Sequence, residues 1–123
     1  MIITLKIECI FGRYLEEECI RVIEIPTDAT LCDLHLAIQH AIDFDDDHLF
    51  EFYAGKHIKD KRNTFYENDD LTLDEVYPLQ KGLKLYYLFD FGDSWTFKIT
   101  KSRKRPVPPV AGIKYPRVVQ AGR

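Results

Sequence analysis

YLFDFGDSW, residues 87–95, decides how the second half of the chain folds. It joins two runs of alternating character, LKLYYLFDF (83–91) and WTFKIT (95–100). Side chains alternate faces along a strand. Leu83, Leu85, Tyr87, Phe89 and Phe91 therefore share one face of the first run, and Trp95, Phe97 and Ile99 share one face of the second. Residues directly opposed in an antiparallel pair lie on the same face. A two-residue loop, Gly92 and Asp93, would set Asp90 against Trp95 and mix the faces. A three-residue loop, Gly92, Asp93 and Ser94, pairs Phe91 with Trp95, Phe89 with Phe97 and Tyr87 with Ile99, and is the predicted register. Asp90 then points to the opposite face, across from Thr96, and Asp93 sits at the tip. In a structural reading, Gly92 supplies a backbone conformation closed to other residues and Asp93 makes a local Asx hydrogen bond. In a chemical reading, Asp90 and Asp93 hold a cation or act as an acid–base pair. Aspartates are frequent in hairpin turns, so the structural reading is the expected one.

Working outward, IITLKIEC (2–9) places Ile3, Leu5, Ile7 and Cys9 on one face of a half-buried strand. CIRVIEIP (19–26) is a second β-branched run stopped by Pro26, and the two predict a hairpin. Thr30 followed by Asp33 opens a helix with a capping box, and Leu31, Leu34, Ile38, Ala41 and Ile42 form its apolar stripe. Gln39, His40 and Asp43 point away from that stripe. HLFEFYAGKHIKD (48–60) reads as strand, turn and short strand, and Thr72 with Glu75 caps a second helical turn. The predicted class is α+β: one main helix packed on a mixed, mainly antiparallel β-sheet, with an extra C-terminal hairpin strand altering one sheet edge. Residues 1–105 make a single domain, and 106–123 a Pro-rich, basic, extended tail with four prolines in PVPPVAGIKYPR.

Composition bounds the function. The chain has 123 residues, 46% apolar and 30% charged, which argues against disorder and suits one modest core. No stretch approaches the roughly 18 apolar residues of a membrane span. The start MIITLKIECI has no basic leader region. Three cysteines without C-x-x-C spacing give no zinc or disulfide framework, and a reducing cytoplasm is the expected location. The net charge of −3 conceals an asymmetry: residues 1–97 carry all 20 acids against nine Lys/Arg, and 98–123 carry eight Lys/Arg and no acid.

The candidate binding residues are His48, Glu51, Asp90, Gly92, Asp93 and Trp95, on one predicted rim with the basic end of the last strand. His48, with Asp45, Asp46, Asp47 and Glu51, is the best metal-like cluster, but neighbouring residues cannot all point inward and the calcium-loop spacing is missing. A solvated acidic loop is expected there, and no metal or cofactor. Lys98, Lys101, Arg103, Lys104 and Arg105 form a basic group at the end of the last strand. They suit phosphate contact, or docking of the tail on the chain's own acidic surface, which is the expected outcome.

FDFGDSW (89–95), DLHLAIQHAIDFDDDHLFEF (33–52) and CIRVIEIP (19–26) resemble the plasmid pRiA ORF-three-like family, sometimes labelled transposon-passenger proteins, over about residues 3–100. The resemblance implies no particular reaction. It also implies histidines at two positions that are Phe50 and Phe97 here, and a tryptophan where this chain has Ile20. Phenylalanine neither binds metal nor moves protons, which speaks against a shared histidine chemistry. LFEFYAGKHIKD (49–60) is similar to the third and fourth strands of the ubiquitin-type β-grasp, which implies that architecture. The expectation is a non-enzymatic binding or protein-interaction module with an unidentified protein partner. The alternatives are a nucleic-acid-associated protein using the basic C-terminal segment, and a metal-dependent hydrolase using His48, Glu51, Asp90 and Asp93. Self-association through the C-terminal segment is a further expectation; a membrane partner is not.

Overall fold

A computed structural model describes residues 1–12, 19–42, 49–65, 70–89 and 95–122. In chain order they form β1 (Ile2–Phe11), β2 (Ile20–Pro26), α1 (Leu31–Ile42), β3 (Phe50–Gly55), β4 (Asn63–Phe65), α2 (Leu73–Val76), β5 (Lys84–Phe89), β6 (Trp95–Lys101) and β7 (Arg117–Gly122). The strands make one sheet in the order β4-β3-β5-β6-β1-β2-β7, and every pair in it is antiparallel. The described residues are mostly β, with two short helices of twelve and four residues. This corrects the α+β expectation of one main helix on a mixed, β-grasp-like sheet. The position of β6 is the physical reason. The sequence puts this strand at a sheet edge; the structure inserts it between β5 and β1. A strand threaded antiparallel between two others leaves them no direct pairing, so no parallel pair exists among the described residues.

The face pattern of β1 is as alternation requires. Ile3, Leu5, Ile7 and Cys9 are buried, and Lys6 is exposed. β1 and β2 form the expected hairpin, with Ile7 opposite Arg21 and Leu5 opposite Ile23. In the β5–β6 hairpin Phe89 faces Trp95, Tyr87 faces Phe97 and Leu85 faces Ile99. The predicted three-residue register is therefore displaced by two residues, although the face is conserved. Phe89, Tyr87 and Phe97 are buried and Trp95 is half-buried on that face. The return strand after β3 comes later than the sequence suggests, at Asn63–Phe65. The intervening connection is tied by Asp60, whose carboxylate accepts from the Lys56 N–H at 3.0 Å and from the Arg62 guanidinium at 2.8 and 2.9 Å. These bonds hold the Asp60 carboxyl well below the usual carboxylate range.

α1 opens on the predicted capping box: the Thr30 N–H donates to Asp33 Oδ2 at 3.0 Å, and the Asp33 N–H to Thr30 Oγ1 at 3.1 Å. Leu31, Leu34 and Ile38 enter a core shared with β1, β2, β3, β5 and β6. α2 begins with the Thr72 N–H bonded to Glu75 at 3.0 Å. A second, smaller cluster of Tyr53, Tyr86, Leu88 and Ile58 lies apart from the main core. Residues 106–122 run back along the sheet. Val107 and Ile2 exchange backbone hydrogen bonds at 2.6 and 3.0 Å, and β7 pairs with β2 at the opposite edge from β4. No described helix is long and apolar enough to cross a membrane.

Cys9 and Cys19 are joined by a backbone hydrogen bond of 3.0 Å between β1 and the residue before β2, and both thiols are free. Burial pushes the Cys9 thiol up to about 11, and the neighbouring Cys19 adds to the shift. At pH 8 only about one Cys9 in a thousand is then thiolate. Exposed Cys32 should react first with Ellman's reagent and Cys9 last, by at least about 100-fold. Equal rates for the two in single-cysteine variants would contradict the burial assigned to Cys9.

Candidate functional site

Only part of the predicted rim falls among the described residues. His48, Asp90, Gly92 and Asp93 lie outside them. Glu51 is half-buried on β3, with its carboxylate 3.0 Å from Lys61 Nζ. Trp95 opens β6 directly across from Phe89, which in turn faces Phe50, so the three aromatics form one row across β6, β5 and β3. Trp95 is held against the backbone of Gly12: a Cβ on Gly12 would lie 2.6 Å from Trp95 Cζ3. Any side chain there displaces the indole. The basic strand end is not part of this rim. Lys101 lies at the other end of β6, about 20 Å away at about 3.3 Å per residue. Among the described residues, no three His, Cys, Asp or Glu side chains are grouped to hold a metal ion.

Beneath the aromatic row lies a polar group that the helical pattern did not show. His35 and Gln39 are buried on α1, and Gln39 does not point away as its stripe position suggests. Gln39 Nε2 donates to Tyr87 Oη at 2.8 Å, and the same hydroxyl lies 2.6 Å from His35 Nδ1. The His35 ring stacks on Phe50, with centroids 3.6 Å apart. A buried hydroxyl and amide require such partners, and the i, i+4 spacing of His35 and Gln39 was the available signal. Phe97 is buried in the core, so one of the two positions where the resemblance implies histidine has a packing role here.

Of the basic group, Lys98 lies 3.7 Å from Glu8 on β1 and Lys101 is half-buried. Arg103, Lys104 and Arg105 are exposed and make no ion pair among the described residues. The segment that follows is instead held by its backbone and by Arg117, whose Nε is 2.6 Å from Glu24 Oε1. The acidic stretches expected to pair with residues 103–105, at 16–18 and 45–47, lie outside the described residues.

A groove of about 780 Å³ opens between α1 and residues 115–118. Ile23 and Pro26 of β2 lie on it, Leu36, Ala37 and His40 line it from α1, and Tyr115, Pro116 and Val118 close the far wall. Leu36 is 49% exposed and Val118 40%, so both apolar side chains are open to solvent within it. Asp28 and Asp33 stand at the N-terminal end of α1, with His40 toward its other end. The Arg117 guanidinium sits 5.9 Å from the Tyr115 ring centroid, which with the Glu24 bond braces that wall. The sequence pattern did not point to this groove. Its signals were Leu36, an apolar residue off the buried stripe, and the valine pair at 118 and 119.

A family model described as Plasmid pRiA4b ORF-3-like protein matches residues 3–123, which takes in the C-terminal segment through β7. Among solved structures the chain is similar to a protein of unknown function from Methanosarcina mazei Go1. That likeness has a TM-score of 0.76 at 25% identity and covers 98% of this chain and 68% of the other. Among curated proteins none is similar enough to match.

Proposed function

This chain belongs to the plasmid pRiA4b ORF-3-like family, and from that premise we propose that it is a non-enzymatic binding module for an extended segment of a partner protein. The observation that carries the reading is the position of the groove along β7. β7 is an edge strand, and among the described residues its outer side pairs with nothing. Such an edge offers unpaired N–H and C=O groups to another chain. A segment added there gains main-chain hydrogen bonds, and its alternate side chains drop into an adjacent pocket. The groove between α1 and residues 115–118 is that pocket. Its apolar walls suit Leu, Ile or Phe at alternate positions, and Asp28 and Asp33 suit a Lys or Arg on the partner. A cytoplasmic partner fits three cysteines that form no disulfide with one another.

Selection from a random peptide library, followed by titration of the winners, tests this. The selected peptides should alternate apolar residues beside a basic one. Leu36→Asp should weaken their binding by at least about tenfold, since it sets a carboxylate in the apolar wall. Peptides without alternation, or unaffected by Leu36→Asp, would overturn the reading. β7 of a second copy is the other occupant such an edge admits, and a mass that doubles with concentration in sedimentation would identify it.

A further inference from the structure

The sheet register gathers basic side chains from separate parts of the sequence at one end of the molecule. β3 ends at Gly55, directly opposite Lys84 at the start of β5. Leu85 faces Ile99, so β6 ends at Lys101 on the same side. Three connections leave from this end: residues 56–62 after β3, 81–83 before β5, and 102–105 after β6. The first brings exposed Lys56 and Lys59, and the second exposed Lys81 beside Lys84. The third brings Arg103, Lys104 and Arg105. None of these seven makes an ion pair among the described residues. Asp60 is occupied by Arg62 and the Lys56 N–H. Asp74 and Glu75 belong to α2, where Asp74 lines a hollow with Lys101. At the opposite sheet end Phe11 faces Thr96.

We propose that this basic end of the sheet binds nucleic acid through its phosphate backbone, without reading bases. The proposal stands apart from the groove on β7 and does not depend on it. β3, β5 and β6 are neighbours, so the patch spans two strand spacings, about 10 Å. That covers about three phosphates of one strand at about 3.4 Å of rise each. Two arginines in the turn after β6 suit bidentate phosphate contact, and the lysines act as point charges. Tyr53 and Tyr86, on β3 and β5 two residues from this end, are buried and stacked on each other 5.2 Å apart, so they offer no face to a base. The net charge of −3 does not prevent this, because the positive charge is concentrated at one end and orients the molecule toward a polyanion.

Fluorescence anisotropy with labelled duplex DNA, single-stranded DNA and RNA, from about 50 to about 200 mM salt, tests the proposal. Binding should fall steeply with salt and depend little on base sequence. The Lys56→Ala/Lys59→Ala variant and the Arg103→Ala/Lys104→Ala/Arg105→Ala variant should each bind at least about tenfold more weakly. Each should also show a shallower salt dependence on duplex DNA, by about 0.9 in log–log slope for every phosphate no longer neutralised. Lys114→Ala, with its charge removed in the segment before β7, should bind as the parent does. Circular dichroism and Tm check that each variant is folded, and glutamine replaces alanine where Tm drops. No binding at about 50 mM salt overturns the proposal. So does binding that ignores Lys56 and Lys59, because the assembled surface would then play no part. Equal competition by polyglutamate, or tighter binding to phosphatidylserine vesicles, also overturns it in favour of an acidic protein or a membrane.

Discussion

Tyr87→Ala is expected to lower the free energy of unfolding by about 3–5 kcal/mol in urea denaturation. Tyr87 is fully buried at the centre of β5, between β3 and β6. Its ring lies 4.8 Å from Phe52 and 5.8 Å from Phe97, centroid to centroid, so truncation leaves a cavity walled by aromatic rings on both neighbouring strands. The loss has a second component. The Tyr87 hydroxyl serves Gln39 and His35, and both side chains stay buried when it goes. Tyr87→Phe isolates that part, because it keeps the ring and removes the oxygen; it should cost about 1–3 kcal/mol. If the phenylalanine variant is as stable as the parent while the alanine variant is not, the polar group beneath the aromatic row contributes nothing to stability.

Gly55→Ala should cost about 3 kcal/mol, the upper end of what overpacking usually costs. The added Cβ would collide with the Asp60 backbone carbonyl oxygen and come within 2.9 Å of Asp60 Cβ. A flexible side-chain tip could swing away, but a carbonyl fixed inside a hydrogen-bonded connection cannot. Relief requires moving residues 56–62, and with them the Asp60 bonds to Lys56 and Arg62. Gly82 provides the contrast. It has a positive φ of 86° and nothing within 4 Å of its Cβ position, so Gly82→Ala strains the backbone without a collision. Thermal melts of the two variants should rank Gly55→Ala clearly below Gly82→Ala. The reverse order would mean that the β3–β4 connection yields easily.

The parts of the fold legible in the sequence are those written in short-range pattern. Alternation fixed the buried face of β1, and Thr30 with Asp33 fixed the start of α1. The β5–β6 hairpin shows where pattern stops. A strand repeats every two residues, so a slip of two keeps every aromatic on its face, and face matching cannot separate Phe91 opposite Trp95 from Phe89 opposite Trp95. The place of β6 within the sheet was beyond local reading for a different reason. Its edges carry only backbone groups, and no side chain of β6 announces whether β1 will pair with it. β7 was concealed by the prolines that precede it, which read as an extended tail. The groove was illegible because its walls come from α1 and residues 115–118, far apart in sequence. The basic residues at 103–105 were visible at once. Their company with Lys56 and Lys59 was not, since only the register of β3, β5 and β6 brings the two groups together.

The pairing of β7 with β2 also has a consequence for how the chain is made. Ile23 meets Val118, so β2 leaves the ribosome well before β7, the strand that satisfies its outer edge. At about 5–20 residues per second, the interval lasts several seconds. Throughout it, β2 presents a row of unpaired backbone groups beside an incomplete core, the kind of edge on which neighbouring nascent chains join. A message cut short before β7 would yield a polypeptide with a β-branched edge permanently open to aggregation.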